Sequence, residues 1–152
     1  MYKGREHEIL NGYVNRSEGP YVYIDLDRTQ AVLRPQDQIP NENYHSGQRI
    51  KVYLEKVVAS PKGPKLMISR THPRLINCLL EIEIPEVREG VVQIKAVSRE
   101  PGIRTKVAVS SSDPNVDPIG ACVGQKGVRI QSIMEEFSGE RVDIIEFTDH
   151  AP

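Results

Sequence analysis

Val123-Gly124-Gln125-Lys126-Gly127-Val128-Arg129-Ile130 is the stretch that decides how this chain is read. Two glycines three positions apart are flanked on both sides by branched apolar residues, and the stretch lies between two helical patterns. Ahead of it, Asp117-Pro118 supplies a helix start, followed by Ile119, Gly120, Ala121, Cys122 and Val123. Behind it, Val128, Ile130, Ile133, Met134 and Phe137 recur at helical spacing until Ser138-Gly139 ends the run. Val142 to Phe147 reads as a strand. Upstream, Gly90 to Ser98 and Ile103 to Ser110 read as two strands joined at Pro101-Gly102, residue types that suit the centre of a type II turn. The expected order is hairpin, helix, glycine turn, helix, strand.

Glycine chemistry gives this turn a use. Without Cβ atoms, Gly124 and Gly127 let the backbone bend tightly and come close to a sugar-phosphate chain. The second helix begins there, and its positive dipole end favours phosphate. A plain helix-turn-helix connection would also explain the glycines, and core packing alone would explain Ile119, Val123 and Ile130. The agreement of spacing with flanking context favours RNA contact.

Working back from the hairpin, Pro73 opens a run in which Leu75, Ile76, Leu79 and Leu80 fall at helical spacing, and Pro85 stops it after Ile84. Its thin polar face predicts a helix buried between two modules, or one belonging to the second alone. Before Pro73 the punctuation changes: Gly19-Pro20, Asp27-Arg28, Pro35 to Asn43, Ser46-Gly47 and Pro61 to Pro64 separate five short strand-like runs. Val22, Ile24 and Leu26 alternate with Tyr21, Tyr23 and Asp25. Ile50, Val52 and Leu54 alternate with Lys51, Tyr53 and Glu55, and Leu66 and Ile68 with Lys65, Met67 and Ser69. Five strands in about seventy residues suit an all-β OB-fold barrel. The expected division is 1–72 for the barrel and 73–152 for the connecting helix and an α/β domain.

Composition bounds the partners. The 152 residues are 38% hydrophobic and 27% charged, with net charge -1, so no global basic excess advertises a nucleic-acid binder. Residues 1–72 carry 11 of the 20 basic and 8 of the 21 acidic residues, leaving the second half acidic and any RNA surface there local. No apolar run is long enough to span a bilayer, and the start lacks a signal-peptide core, which predicts a cytoplasmic protein with no membrane partner. Cys78 and Cys122 lack paired spacing and are expected to behave as small buried hydrophobes, and His7, His45, His72 and His150 show no metal-ligand spacing. No metal, cofactor or catalytic residue is expected. Gly120 to Lys126 fails as a phosphate-binding P-loop, since the fifth position after Gly120 is Gln125 and Gly127 follows Lys126.

The segment Val123 to Ile130 resembles the KH signature, and the two strands before the helix pair resemble its type II arrangement. KH loops clamp about four nucleotides and turn their bases toward an apolar groove. The resemblance implies a clamp of Gly124, Gln125, Lys126 and Gly127, a groove with Ile119, Gly120, Val123 and Ile130, and charge outside it from Lys126 and Arg129. The runs Ile9 to Val14, Gly19 to Val22, Gly47 to Val52 and Leu66 to Arg70 resemble the S1 RNA-binding family. There the positions matching Tyr21 and Arg34 face RNA. Glu18 stands where many members carry another aromatic. Arg34, Lys51, Lys65 and Arg70 would follow the phosphates, while Tyr21, Tyr23 and Tyr53 equally suit ordinary cross-strand pairs.

Longer strings, Glu83 to Val87, Arg99-Glu100-Pro101-Gly102, Arg104 to Val109 and Asp113 to Gly124, are similar to the NusA family of bacterial transcription factors. That resemblance implies a non-enzymatic, monomeric fragment, S1 plus first KH domain, that contacts single-stranded nascent RNA. In the full-length protein it implies RNA polymerase and other transcription factors as partners, with effects on pausing, termination and antitermination. Two other readings stay open: an accessory region of a ribonuclease, and a protein-interaction module whose acidic face is Glu135, Glu136, Glu140, Asp143 and Glu146.

Overall fold

A computed structural model describes residues 3–40 and 42–147. His150 lies outside them. The chain divides into two compact units, Met1–Leu75 and Ile76–Pro152.

The alternation of apolar and polar residues in the first unit builds a closed barrel of five strands in the order β1-β2-β3-β5-β4, with β1 Ile9–Glu18, β2 Tyr21–Asp25, β3 Gln30–Leu33, β4 Arg49–Val58 and β5 Lys65–Ser69. Neighbours are antiparallel except β3 and β5, which meet in parallel at Val32 and Met67. β1 and β4, ten residues each, bend through bulges at Val14/Arg16 and Leu54/Lys56, and such bulges let long strands wrap a small barrel. Leu10, Val14, Val22, Ile24, Leu33, Ile50, Val52, Leu54, Leu66 and Ile68 fill the interior.

Tyr53 and Ser69 depart from the expected alternation, both being buried, and Arg70 departs from its expected place on the surface. Tyr53 is not on a wet face: it is 1% exposed. The His72 ring stacks on it at 4.5 Å, and its hydroxyl lies 2.9 Å from His7 Nδ1, so the outer side of β4 is covered at that point. Arg70 does not follow phosphates either, since its side chain and that of Glu42 are each 1% exposed and paired, with Nε donating to Glu42 Oε1 at 3.1 Å and Nη1 to the Lys51 carbonyl at 2.8 Å. A cation buried in this way is a strut between the β5 end and the Glu42 loop.

Helix α1, Pro73–Glu83, buries Leu75, Ile76, Leu79 and Leu80 and leaves Ile82 half-exposed. A single extra turn, α2, Pro85–Arg88, follows it; four residues are too few to show a helical period in the sequence. In the second unit β6 Val92–Glu100 and β7 Arg104–Ser111 form the hairpin, and β8 Arg141–Glu146 pairs with β7 in parallel, giving the order β6-β7-β8. The turn has the expected form: the Ile103 amide donates to the Glu100 carbonyl at 3.0 Å and Gly102 has φ 79°. Helices α3 Pro118–Val123 and α4 Val128–Glu136 lie in sequence between β7 and β8, completing the two-strand, two-helix, one-strand order of a type II KH domain. Val107, Val109, Cys122, Ile133, Phe137 and Val142 are buried in this unit.

Glu140 leaves the expected acidic face for the interior. Its carboxylate accepts from Arg99 Nε and Nη2, both at 3.1 Å, from the Gly102 amide at 2.8 Å and from the Thr105 hydroxyl at 2.8 Å, with both charged side chains fully buried. The Arg99 guanidinium also sits 4.4 Å from the centre of the Phe137 ring. These bonds tie the hairpin turn to the start of β8. Of the two cysteines, Cys122 is buried and Cys78 half-buried.

Candidate nucleic-acid interface

Asp117 fixes the start of α3 by accepting the Ile119 amide at 3.1 Å, with Pro118 at the first helical position where a missing N–H costs nothing. The helix then stops at Gly124, whose backbone at φ 79° and ψ 172° occupies a region essentially reserved for glycine. Gln125–Gly127 form one tight turn in which Lys126, at φ 58° and ψ 23°, and Gly127, at φ 75° and ψ 15°, are both left-handed. A left-handed lysine is uncommon, and such outliers gather at functional sites. The Gly127 amide donates to the Gly124 carbonyl at 3.1 Å and the Val128 amide to Gln125, so the turn holds itself. Nothing lies within 4 Å of where a Gly127 Cβ would stand, leaving that backbone open to an approaching chain.

The groove beside the turn is about 600 Å³ and is lined by Glu86, Gly120, Ala121, Gly124, Gln125, Lys126, Val128 and Arg129. It brings together Gly120, Gly124, Gln125, Lys126 and Arg129 from the expected site. Gly127, Ile119, Val123 and Ile130 are outside its lining and partly buried. Gln125 and Lys126 are exposed, and so is Val128, at 63%, although it is the first apolar residue of the second helical pattern. Arg129 lines the groove, with its side chain about 32% exposed. Its Nη1 donates to the Ala121 carbonyl at 2.7 Å and to Glu86 Oε1 at 3.0 Å, so one nitrogen of the guanidinium is held by the fold. Gly120 is constrained by the cap itself, because a Cβ there would lie 2.8 Å from Asp117 Oδ2.

The larger groove, about 640 Å³, lies on the barrel and is lined by residues of β2, β3, β5 and the loop before β5, among them Tyr21, Tyr23, Arg34, Lys62, Lys65 and Met67. Tyr21 and Arg34 thus share one surface. Tyr21 is 45% exposed, whereas the Tyr23 ring is covered by the Arg16 guanidinium at 4.2 Å. Arg16 Nε also donates to Glu18 at 2.7 Å, and that bond holds the Glu18 carboxyl below its ordinary range. Arg34 is engaged by Asp37 at 2.7 Å, which keeps its guanidinium more firmly protonated than usual, and Lys51 Nζ donates to Asn11 at 2.9 Å.

Among the described residues no group of three His, Cys, Asp or Glu side chains is placed to hold a metal ion, and no helix is long and apolar enough to cross a membrane.

The chain is 54% identical over 145 residues to the transcription termination/antitermination protein NusA of Thermus thermophilus, a match covering 95% of this chain and 38% of that protein. It is 46% identical to the proteins of the same name from Halalkalibacterium halodurans and Bacillus subtilis, again over 95% of this chain and 38% and 39% of theirs. The chain therefore spans about two fifths of the length of these relatives. The NusA-like first KH domain matches residues 70–147, half of the chain, with the glycine turn and both helices around it inside the matched span. On that match, and on the closed barrel ahead of it, the chain belongs to the NusA family as a segment carrying an S1-like barrel and the first KH domain.

Proposed function

We propose that this chain binds single-stranded RNA, and that it is the RNA-contacting part of a factor acting in transcription termination and antitermination. The relatives carry that activity in their names. The observation that carries the reading is the turn Gly124–Gly127, where a backbone conformation reserved for glycine, a left-handed lysine and an open Gly127 coincide at the start of α4. A phosphate arriving there meets the positive end of the helix dipole and first-turn amides that an α-helix leaves without intrahelical carbonyls. Gln125 and Lys126 are its nearest exposed side chains, and the bases turn toward the groove beside Gly120 and Val128. Ile119, Val123 and Ile130 support that groove from below. On the barrel, Tyr21 offers a stacking face and Arg34 and Lys65 offer charge. RNA polymerase and other transcription factors are partners of the longer protein, the location is the cytoplasm, the chain acts as a monomer without enzymatic activity, and the functional boundary is placed at 1–72 and 73–152, where α1 begins, three residues ahead of the break between the compact units.

Replacing Gly124 and Gly127 together by Asp tests the loop: at Gly127 it adds bulk and negative charge on the open side where RNA lies, and at Gly124 it forces a Cβ against the Arg129 stem beneath the turn. Affinity for a single strand, measured by fluorescence anisotropy at several salt concentrations, is expected to fall at least tenfold, a loss of about 1.4 kcal/mol. Circular dichroism and thermal melting establish that the variant is folded. A folded double variant binding like the parent at every salt concentration reduces the loop to a turn.

A further inference from the structure

The groove beside the glycine turn contains an acid, and an acid opposes a polyanion unless something else uses its charge. Glu86, on the short helix α2, is that acid. Its Oε1 accepts from Arg129 Nη1 at 3.0 Å, and the same nitrogen donates to the Ala121 carbonyl at 2.7 Å near the end of α3. Between these two anchors the Arg129 stem lies directly against Gly124. A Cβ at Gly124 would stand 2.7 Å from Arg129 Cγ, 3.0 Å from Cβ and 3.1 Å from Cδ. One side chain therefore touches the last turn of α3, the first glycine of the loop, and α2.

We propose that Glu86 is a positioning residue for the glycine loop, acting through Arg129. Glu86 holds the guanidinium against the Ala121 carbonyl, and the stem so fixed forms the floor on which Gly124 rests. The absence of a Cβ at Gly124 then serves packing from beneath, while at Gly127 it leaves the outer side clear for the ligand. The proposal rests on the RNA reading for its consequence but not for its geometry.

Glu86→Gln and Glu86→Ala remove the same charge and differ in whether an acceptor for Arg129 remains. Both are made in the whole 152-residue chain and tested with an unstructured single strand of about ten nucleotides, longer than the four a KH loop clamps. Glu86→Gln is expected to bind within twofold of the parent. Glu86→Ala is expected to bind roughly three- to fivefold more weakly, the range a pair with both side chains about one-third exposed can supply. Its salt dependence is expected to match the parent's, since no phosphate contact is lost. In RNA-free protein, amide hydrogen exchange over residues 124–129 is expected to quicken severalfold in Glu86→Ala. Arg129→Met, which keeps the stem and loses both bonds, gives the same exchange readout if Glu86→Ala does not fold. Tighter binding by both Glu86 variants, equal binding by the two, or unchanged exchange overturns the proposal. Faster exchange in a chain whose parent shows no RNA binding leaves the brace standing and removes the RNA reading instead.

Discussion

Lys126 carries two roles that a pair of substitutions separates. Its left-handed backbone costs about 1–2 kcal/mol in a residue with a Cβ, while its side chain stands exposed at the mouth of the groove. Lys126→Gly removes both the strain and the charge; Lys126→Ala removes the charge alone. After allowing about 0.5–1 kcal/mol for the glycine's greater freedom when unfolded, Lys126→Gly should raise stability by roughly 0.5–1 kcal/mol and Lys126→Ala should leave it near the parent's. Both should lower the slope of log affinity against log salt by about 0.7, one phosphate contact on a single strand. Denaturant titration and salt-dependent binding check the pair; a Lys126→Gly variant that melts below Lys126→Ala denies the strain. Cys122 makes a different residue-scale prediction. Burial, with Glu86 adding to it and Arg129 opposing, pushes its thiol from 9.0 up to about 11. The folded form therefore holds this proton more tightly than the unfolded form, so the associated stability is fully present below about pH 9 and is lost as pH rises through about 11. Cys122→Val should flatten the alkaline decline in melting temperature over that window, and an unchanged decline would place its origin elsewhere.

Among the elements, the hairpin β6-β7 and the start of β8 depend on one carboxylate. Glu140 satisfies Arg99, Gly102 and Thr105 at once inside the second unit, where breaking a buried pair leaves an uncompensated charge and costs about 3–5 kcal/mol. Glu140→Ala should destabilise by that amount in urea titration, while Glu140→Gln, which keeps the shape and some acceptors, should cost less. A loss under 1 kcal/mol for Glu140→Ala would show that the network contributes little. The same residue explains what sequence made legible. Patterns whose cause is local were readable: the alternation from Tyr21 to Leu26, the Pro101-Gly102 turn, the cap at Asp117, the glycine spacing. Glu140, Arg70 and Tyr53 were misplaced because their partners stand 41, 28 and 46 residues away, at Arg99, Glu42 and His7. A charged residue looks solvated until its distant counter-ion is known. The ion pair of Arg129 is hidden from the sequence for the same reason, since Glu86 lies 43 residues before it on a helix too short to betray itself by period.

At the scale of the whole chain, the proposed RNA reading rests on two surfaces built on different physics. The barrel groove offers Tyr21 as a stacking face, which accepts any base because every base has a π-face; the loop offers backbone approach and charge, with a groove that must reach base edges. Both requirements favour an unpaired strand over a duplex. A net charge of -1, with 20 basic and 21 acidic residues, leaves little general attraction for polyanions, so the preference should be visible without high salt. A labelled single strand bound to the chain should be displaced by its unlabelled copy at least tenfold more effectively than by the same sequence annealed into a duplex. Tyr21→Ala should weaken single-strand binding by about 1–3 kcal/mol where a base stacks there, leaving the fold intact, and should leave the weak duplex competition unchanged. Equal competition by duplex and single strand would point to attraction by exposed cations such as Lys62, Lys65 and Lys126. Neither the tyrosine face nor the glycine loop would then be selecting the ligand.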